Sequence, residues 1–206
     1  MSPSAPETAP PDDWAESAPG WDSDPYVNAY AEAAFASLLE AVPLGPTARV
    51  LDFGCGTGLL TERVAPLVGE VVAVDASPAM VAVLRAKGLA GVRCGVARWT
   101  AANIDEDPLA EGVFDAILCS SVCAFLPDYP GTVALLAQRL APGGVFVQWD
   151  WERDPSAEEP SGLSRDQIRA ALTAAGLAVE SVGVGFEATV EGMTMRPLMG
   201  VGRRLP

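Results

Sequence analysis

The residues best suited to chemistry are concentrated in Asp52-Phe53-Gly54-Cys55-Gly56-Thr57-Gly58, which follows the apolar Val50-Leu51 and precedes Leu59-Leu60. Glycine at three alternate positions removes the Cβ atoms that would hold a ligand off the backbone, and it permits the angles of a tight strand-to-helix turn. Asp52 adds a carboxylate two residues before the first glycine, where it suits an amino group better than a pyrophosphate. A second carboxylate, Asp75, closes the apolar run Val71-Val72-Ala73-Val74 and lies 21 residues after Gly54. That is close to the spacing at which an acidic residue meets a ribose in Rossmann-like domains. Ser77-Pro78 is itself a helix N-cap and first-turn pair, so Asp75 is not required for capping. The dinucleotide fingerprint G-x-G-x-x-G is not met, because Leu59 stands where its third glycine belongs and Gly58 comes one position early. This argues against NAD or FAD.

A second group of polar and aromatic residues ends the run of residues 145–151: Trp149, Asp150, Trp151 and then Glu152. The chain has no histidine, so a general base would be a carboxylate, a tyrosine or a water held by one. Asp150 is the first candidate and Glu152 the second. Trp149 and Trp151 alternate with Asp150 and therefore face the opposite side of a strand; either could wall an aromatic or cationic ligand, and core packing is an equal alternative. Cys55, Cys94, Cys119 and Cys123 form no C-x-x-C pair. Without histidine this spacing supports no zinc site, and reduced buried thiols are expected.

These residues need a scaffold that brings strand ends together. In 206 residues, 50% of them hydrophobic, there is enough chain for one full core with appended sequence. Residues 1–20 hold five prolines among Ser, Ala and acidic residues, a composition expected to remain a disordered tail; residues 21–206 are expected to form one domain. Asp24-Pro25 opens a helix with Tyr26, Tyr30, Leu38 and Leu39 at helical spacing. Strands are expected at 49–53, 70–74, 91–97, 112–119 and 145–151, with helices between them, and residues 177–190 and 193–203 read as a closing antiparallel pair. Such alternation specifies a doubly wound α/β sheet with ligands at the carboxyl ends of the strands. The net charge of −14 opposes nucleic acid and anionic membrane as partners. With no basic and apolar leader and no spanning apolar segment, a cytoplasmic location is expected.

The pattern Asp52-x-Gly54-x-Gly56-x-Gly58, followed by Val71-Val72-Ala73-Val74-Asp75 and Ser77-Pro78-x-Met80, resembles the class I S-adenosylmethionine (SAM)-dependent methyltransferases. Phe114-Asp115 and Ala141-Pro142-Gly143-Gly144 extend the likeness over almost the whole of residues 21–204. The resemblance implies a Rossmann-like sheet of seven strands, mostly parallel with an antiparallel last strand. It also implies SAM held by Asp52, Gly54, Cys55, Gly56, Thr57, Gly58, Asp75, Ala76 and Met80, with Ser120 near it. Ala97, Arg98 and Trp99 stand where adenine is recognised, here by main-chain groups, because the aspartate common at that point is missing. An N-terminal segment over the cofactor would let Trp21, Tyr26 and Tyr30 line an acceptor pocket together with Phe125, Trp149 and Trp151. Ala124 and Phe125 replace the histidines that many relatives carry, which removes a histidine-assisted mechanism. No carboxylate occurs at residues 119–121, which disfavours magnesium. The expected reaction is methyl transfer from SAM to a small molecule, leaving S-adenosylhomocysteine. A SAM-binding regulatory protein of the same fold and a nucleotide-dependent oxidoreductase are the alternatives, and the sequence specifies no oligomeric state.

Overall fold

The computed structural model describes residues 11–154, 156 and 161–206. Helix α1 (Pro25–Ala41) leads into β1 (Arg49–Phe53), α2 (Leu59–Val64), β2 (Glu70–Asp75), α3 (Pro78–Ala86) and β3 (Val92–Val96). Strand β4 (Phe114–Ser120), α4 (Tyr129–Ala137), β5 (Leu140–Asp150) and α5 (Arg165–Ala174) follow. The chain then forms β6 (Ala178–Val184), the short β7 (Ala188–Val190) and β8 (Met193–Met195), and β9 (Leu198–Arg203). Seven strands make one sheet in the order β3-β2-β1-β4-β5-β9-β6. All pairs are parallel except those of β9, which runs antiparallel to both β5 and β6.

The central strands read as unbroken apolar runs because helices cover both of their faces. Leu51, Val72, Ile117 and Phe146 point into one layer with α4 and α5, whereas Val50, Val71, Leu118 and Val147 point into the other with α1 and α2. Local chemistry sets the helix starts. Asp24 accepts from the Tyr26 and Val27 amides ahead of α1, and Ser77 Oγ accepts from the Met80 amide at 3.1 Å ahead of α3. Helix α4 starts at Tyr129 because Asp128 caps the Tyr129-Pro130 turn through the Gly131 amide.

Two sequence expectations need correction. Residues 177–190 and 193–203 do not form one hairpin: β6 pairs with β9 in the main sheet, while β7 and β8 pair only with each other around Glu191-Gly192, both at positive φ. This small hairpin packs on α1. The expected disordered tail is also revised. Its first ten residues lie outside the described ones, but residues 11–20 form turns at the start of α3. Ala18 is buried, and Asp12 accepts hydrogen bonds from Ser77 Oγ (2.9 Å) and the Ala79 amide (3.2 Å). Composition counted too few apolar residues to order this segment, whereas it is held by a carboxylate that finds unpaired amides at a helix start. Among the described residues no helix is long and apolar enough to cross a membrane.

Candidate functional site

The loop from β1 to α2 lies at the carboxyl edge of the sheet, where strand order reverses between β1 and β4. Its three glycines do different work. All have positive φ, but a Cβ on Gly54 would come within 2.4 Å of Val122, and one on Gly58 within 2.3 Å of Leu84. A Cβ on Gly56 would meet nothing within 4 Å. Gly54 and Gly58 thus permit packing of the loop on the residues after β4 and on α3, while Gly56 faces open space.

Two carboxylates stand on the strands around this loop. Asp75 ends β2, with Oδ2 accepting from the Gly56 amide at 2.9 Å and Oδ1 from the Ser77 amide at 2.8 Å. It therefore ties the glycine loop to the start of α3 and keeps a lone pair on each oxygen for a ligand. Asp52 is 1% exposed, with Oδ2 accepting from Thr61 Oγ1 at 2.5 Å and Oδ1 lacking any hydrogen-bond partner. Burial, reinforced by the nearby Asp75 charge and only partly offset by Thr61, pushes the Asp52 carboxyl up to about 6. A buried carboxylate with one unpaired oxygen, on the strand that leads into the glycine loop, fits a cationic amino group.

Residues 11–24 cross the same edge. Asp22 accepts from Thr57 Oγ1 at 2.5 Å and pairs with Lys87 at 2.8 Å, and Lys87 also holds Glu62 at 2.9 Å. Trp14 meets Trp21 and Phe125 edge to face, at ring distances of 5.5 and 5.7 Å. This strap touches the glycine loop, the start of α3 and the turn after β4. Of these residues Asp12, Trp14, Asp22 and Lys87 carried no signal, because their partners lie far off in the chain.

Other expected site residues are distributed differently. Met80 is buried, and Ala76 and Ala97 are partly buried. Trp99 turns into the core, with Nε1 donating to Asp107 and its ring tilted over Phe53, which leaves the edge of β3 to Ala97 and the exposed Arg98. Trp149 is fully buried and donates to Ser37 Oγ on α1, so it walls no ligand. Tyr26 packs on the same layer and Cys55 is buried under the loop.

Asp150 is placed differently from a general base. It is 1% exposed, and both oxygens accept hydrogen bonds, from the Ala124 amide and from Gln148 Nε2, each at 3.0 Å. Gln148 in turn accepts from Tyr129 Oη at 2.7 Å. Gln148 and Asp150 share the β5 face directed at α4 and α5, and the turn at Cys123–Phe125 seals them. Burial pushes this carboxyl up to about 7. Its position holds the turn after β4 on β5, whereas Glu152 is exposed and paired with Arg165 at 3.0 Å. The expectation of either as a base is thereby corrected: one is sealed and the other is turned to solvent.

A glycine loop at the switch point, a carboxylate ending β2 and a second one beneath the loop define a Rossmann-like cofactor-binding α/β protein. Residues 51–148 match the family described as "Methyltransferase domain". The chain is 38% identical over 112 residues to a ubiquinone biosynthesis O-methyltransferase of Xanthomonas oryzae pv. oryzae, covering 53% of this chain and 46% of that protein. It spans about half the length of such curated relatives. Its fold matches a SAM-dependent methyltransferase from Aquifex aeolicus with a TM-score of 0.69 at 20% identity, over 88% of this chain and 94% of that one. It also matches the N-methyltransferase NodS from Bradyrhizobium japonicum, solved with S-adenosyl-L-homocysteine, with a TM-score of 0.64 at 19% identity over 95% and 93% of the two chains. Residues 51–148 are thus similar to a methyltransferase domain, and the chain has the Rossmann-like fold of the solved methyltransferases it matches.

Proposed function

We propose that this protein transfers a methyl group from SAM to a small-molecule acceptor in the cytoplasm. The observation that carries the reading is Asp52 Oδ1, a buried carboxylate oxygen without a hydrogen-bond partner on the strand that leads into the glycine loop. Asp52 is suited to the amino group of the methionine moiety and Asp75 to the ribose hydroxyls, with Ala97 and Arg98 beside the adenine. When bound, SAM supplies a methyl group activated by its sulfonium. The residues around it hold the two reactants in line and keep water out, which is where most of the rate of such a substitution arises. The names of the curated relatives support oxygen as the accepting atom. Calorimetry should show binding of SAM and S-adenosylhomocysteine and none of NAD; tight NAD binding without a SAM signal overturns the reading. Release of S-adenosylhomocysteine in the presence of an acceptor separates a transferase from a sensor.

A pH dependence follows from Asp52. Its carboxyl is raised in the folded state from 3.8 to about 6, so the folded protein retains this proton to higher pH than the unfolded chain does. The stability linked to it is fully present below the unfolded value and falls as pH rises through about 6. Asp150, raised to about 7, acts in the same direction. An amino group on Asp52 requires the carboxylate, so SAM affinity should rise with pH, roughly tenfold per unit below the Asp52 pKa, and level off above it. Titrations between pH 4.5 and 7.5, interpreted beside Asp52→Asn, check this: the variant should bind more weakly and without the slope.

A further inference from the structure

On the flank of the sheet covered by α4 and α5, a cleft of about 470 Å³ opens between the Cys123–Phe125 turn with the start of α4 and the segment that runs from Arg153 into α5. Its volume lies within the range of small-molecule pockets. Leu126, Pro130, Leu163, Ala170 and Ala174 give it apolar walls. Among the described residues four polar side chains also line it, and three of them are engaged. Tyr129 Oη donates to Gln148 at 2.7 Å, Gln167 completes the capping box of α5 with Ser164, and Cys123 is sealed beside Asp150. The fourth is Arg153, whose guanidinium is exposed and has no partner among the described residues. Its backbone is fixed at the mouth of the cleft. The Arg153 amide donates to the Leu163 carbonyl at 3.0 Å and the Leu163 amide to the Trp151 carbonyl at 2.9 Å. Gly162, at φ 82, lets these segments pass so closely that a Cβ there would lie 2.4 Å from the Trp151 oxygen.

The wall formed by Cys123 and Ala124 belongs to the turn after β4, which also touches the glycine loop. Asp150 accepts from the Ala124 amide at 3.0 Å, the Trp149 carbonyl accepts from the Ser121 amide at 2.7 Å, and Val122 between them packs on Gly54. We propose that this cleft is a second ligand site for a small apolar carboxylate, its body between α4 and α5 and its anion on Arg153, and that occupancy tightens cofactor binding at the glycine loop. An apolar wall leaves a polar ligand group without a partner, so the body must be apolar, and the one unengaged polar group at the mouth is a cation. The neighbouring carboxylates are committed, Asp128 to the Gly131 amide and Glu152 to Arg165. The start of α5 lines the same mouth and adds the positive end of its helix dipole. Because the cleft exists with the turn seated on β5, a ligand that fills it favours that seating, which is the one that packs Val122 on Gly54. The site stands on the cleft alone, whereas its coupling to the cofactor rests on the methyltransferase reading.

The probes are 4-phenylbutyrate, the corresponding alcohol 4-phenylbutan-1-ol and the amine 4-phenylbutylamine, titrated by calorimetry with and without S-adenosylhomocysteine. The acid should bind with a Kd of about 1 mM or below, and the alcohol and amine about tenfold more weakly or not at all. Arg153→Gln should remove the preference for the acid. Ala170→Phe, at an exposed helix position that lines the cleft, should abolish binding of the acid while unfolding at the wild-type temperature. Saturating 4-phenylbutyrate should raise S-adenosylhomocysteine affinity about fivefold, and S-adenosylhomocysteine should raise that of the acid by the same factor. No binding of the acid, equal binding of acid and alcohol, or wild-type binding in Ala170→Phe overturns the site. Competition between the acid and S-adenosylhomocysteine places the acid at the cofactor loop and overturns it as well. Independent binding of the two overturns the coupling. Absence of any SAM or S-adenosylhomocysteine binding defeats the methyltransferase reading and with it the coupling, while the acid, alcohol and variant titrations still decide the site.

Discussion

Asp75→Ala is expected to weaken SAM and S-adenosylhomocysteine binding by one to two orders of magnitude and also to lower the melting temperature of the unliganded protein. The two effects have separate origins. Each Asp75 oxygen already accepts one backbone amide, from Gly56 and from Ser77, and on the proposed reading its remaining lone pair takes a ribose hydroxyl. Hydrogen bonds to a charged group are worth about 1.5–3 kcal/mol, which sets the loss in affinity. Loss of the carboxylate also leaves the Gly56 amide without its partner and unties the loop from α3. A cost of about 1–2 kcal/mol corresponds to a fall of a few degrees in a chain of this size. The start of α3 itself should survive, because Ser77 still caps the Met80 amide and Asp12 the Ala79 amide. Asp75→Asn retains one acceptor oxygen and should lie between alanine and wild type in both measurements. Calorimetry with S-adenosylhomocysteine and thermal unfolding without it give the two readouts. An alanine variant that unfolds early but binds with wild-type affinity makes Asp75 a structural turn residue and removes the ribose assignment.

Deletion of residues 1–20 is expected to lower the melting temperature by of order 10 °C and to speed release of S-adenosylhomocysteine about tenfold. The aromatic contacts of Trp14 with Trp21 and Phe125 contribute about 0.5–1.5 kcal/mol each. Burial of Ala18 and the two Asp12 bonds add to them, for a sum of about 2–4 kcal/mol. At about 2–4 °C per kcal/mol this gives the expected fall. The effect on release follows from where the strap is anchored. Its partners Thr57, Ser77 and Ala79 belong to the glycine loop and the start of α3, so a ligand held at that loop, as proposed, is expected to leave by displacing it. Asp22→Ala, which removes the bonds to Thr57 and Lys87 but retains the chain, should speed release by less, since partly exposed ion pairs are worth only about 0–1 kcal/mol. Stopped-flow displacement and thermal scans of both variants measure this. A truncated protein with unchanged unfolding and unchanged release returns residues 11–20 to the dispensable tail that their composition suggests.

The sequence by itself determined what depends on neighbours in the chain. Asp52, the three glycines and Asp75 were legible because a tight loop with positive φ at alternate positions admits little but glycine there, and because the two carboxylates occupy strand positions at set distances from it. The helix starts at Asp24-Pro25 and Ser77-Pro78 were legible for the same local reason, and the central strands because both of their faces are buried. Only the tertiary structure decided which polar groups remain available. Asp150 and Trp151 are adjacent in the chain, yet one is sealed beneath the Cys123–Phe125 turn and the other is open beside Tyr30. No local pattern distinguishes them, since burial there is set by α1, by the turn after β4 and by the segment carrying Phe186. The strap is the same case: a carboxylate at residue 12 acquires a role only when the amides of α3 are brought to it. Backbone conformation is decided within a few residues, whereas desolvation and hydrogen-bond pairing are decided by whatever the fold packs against them.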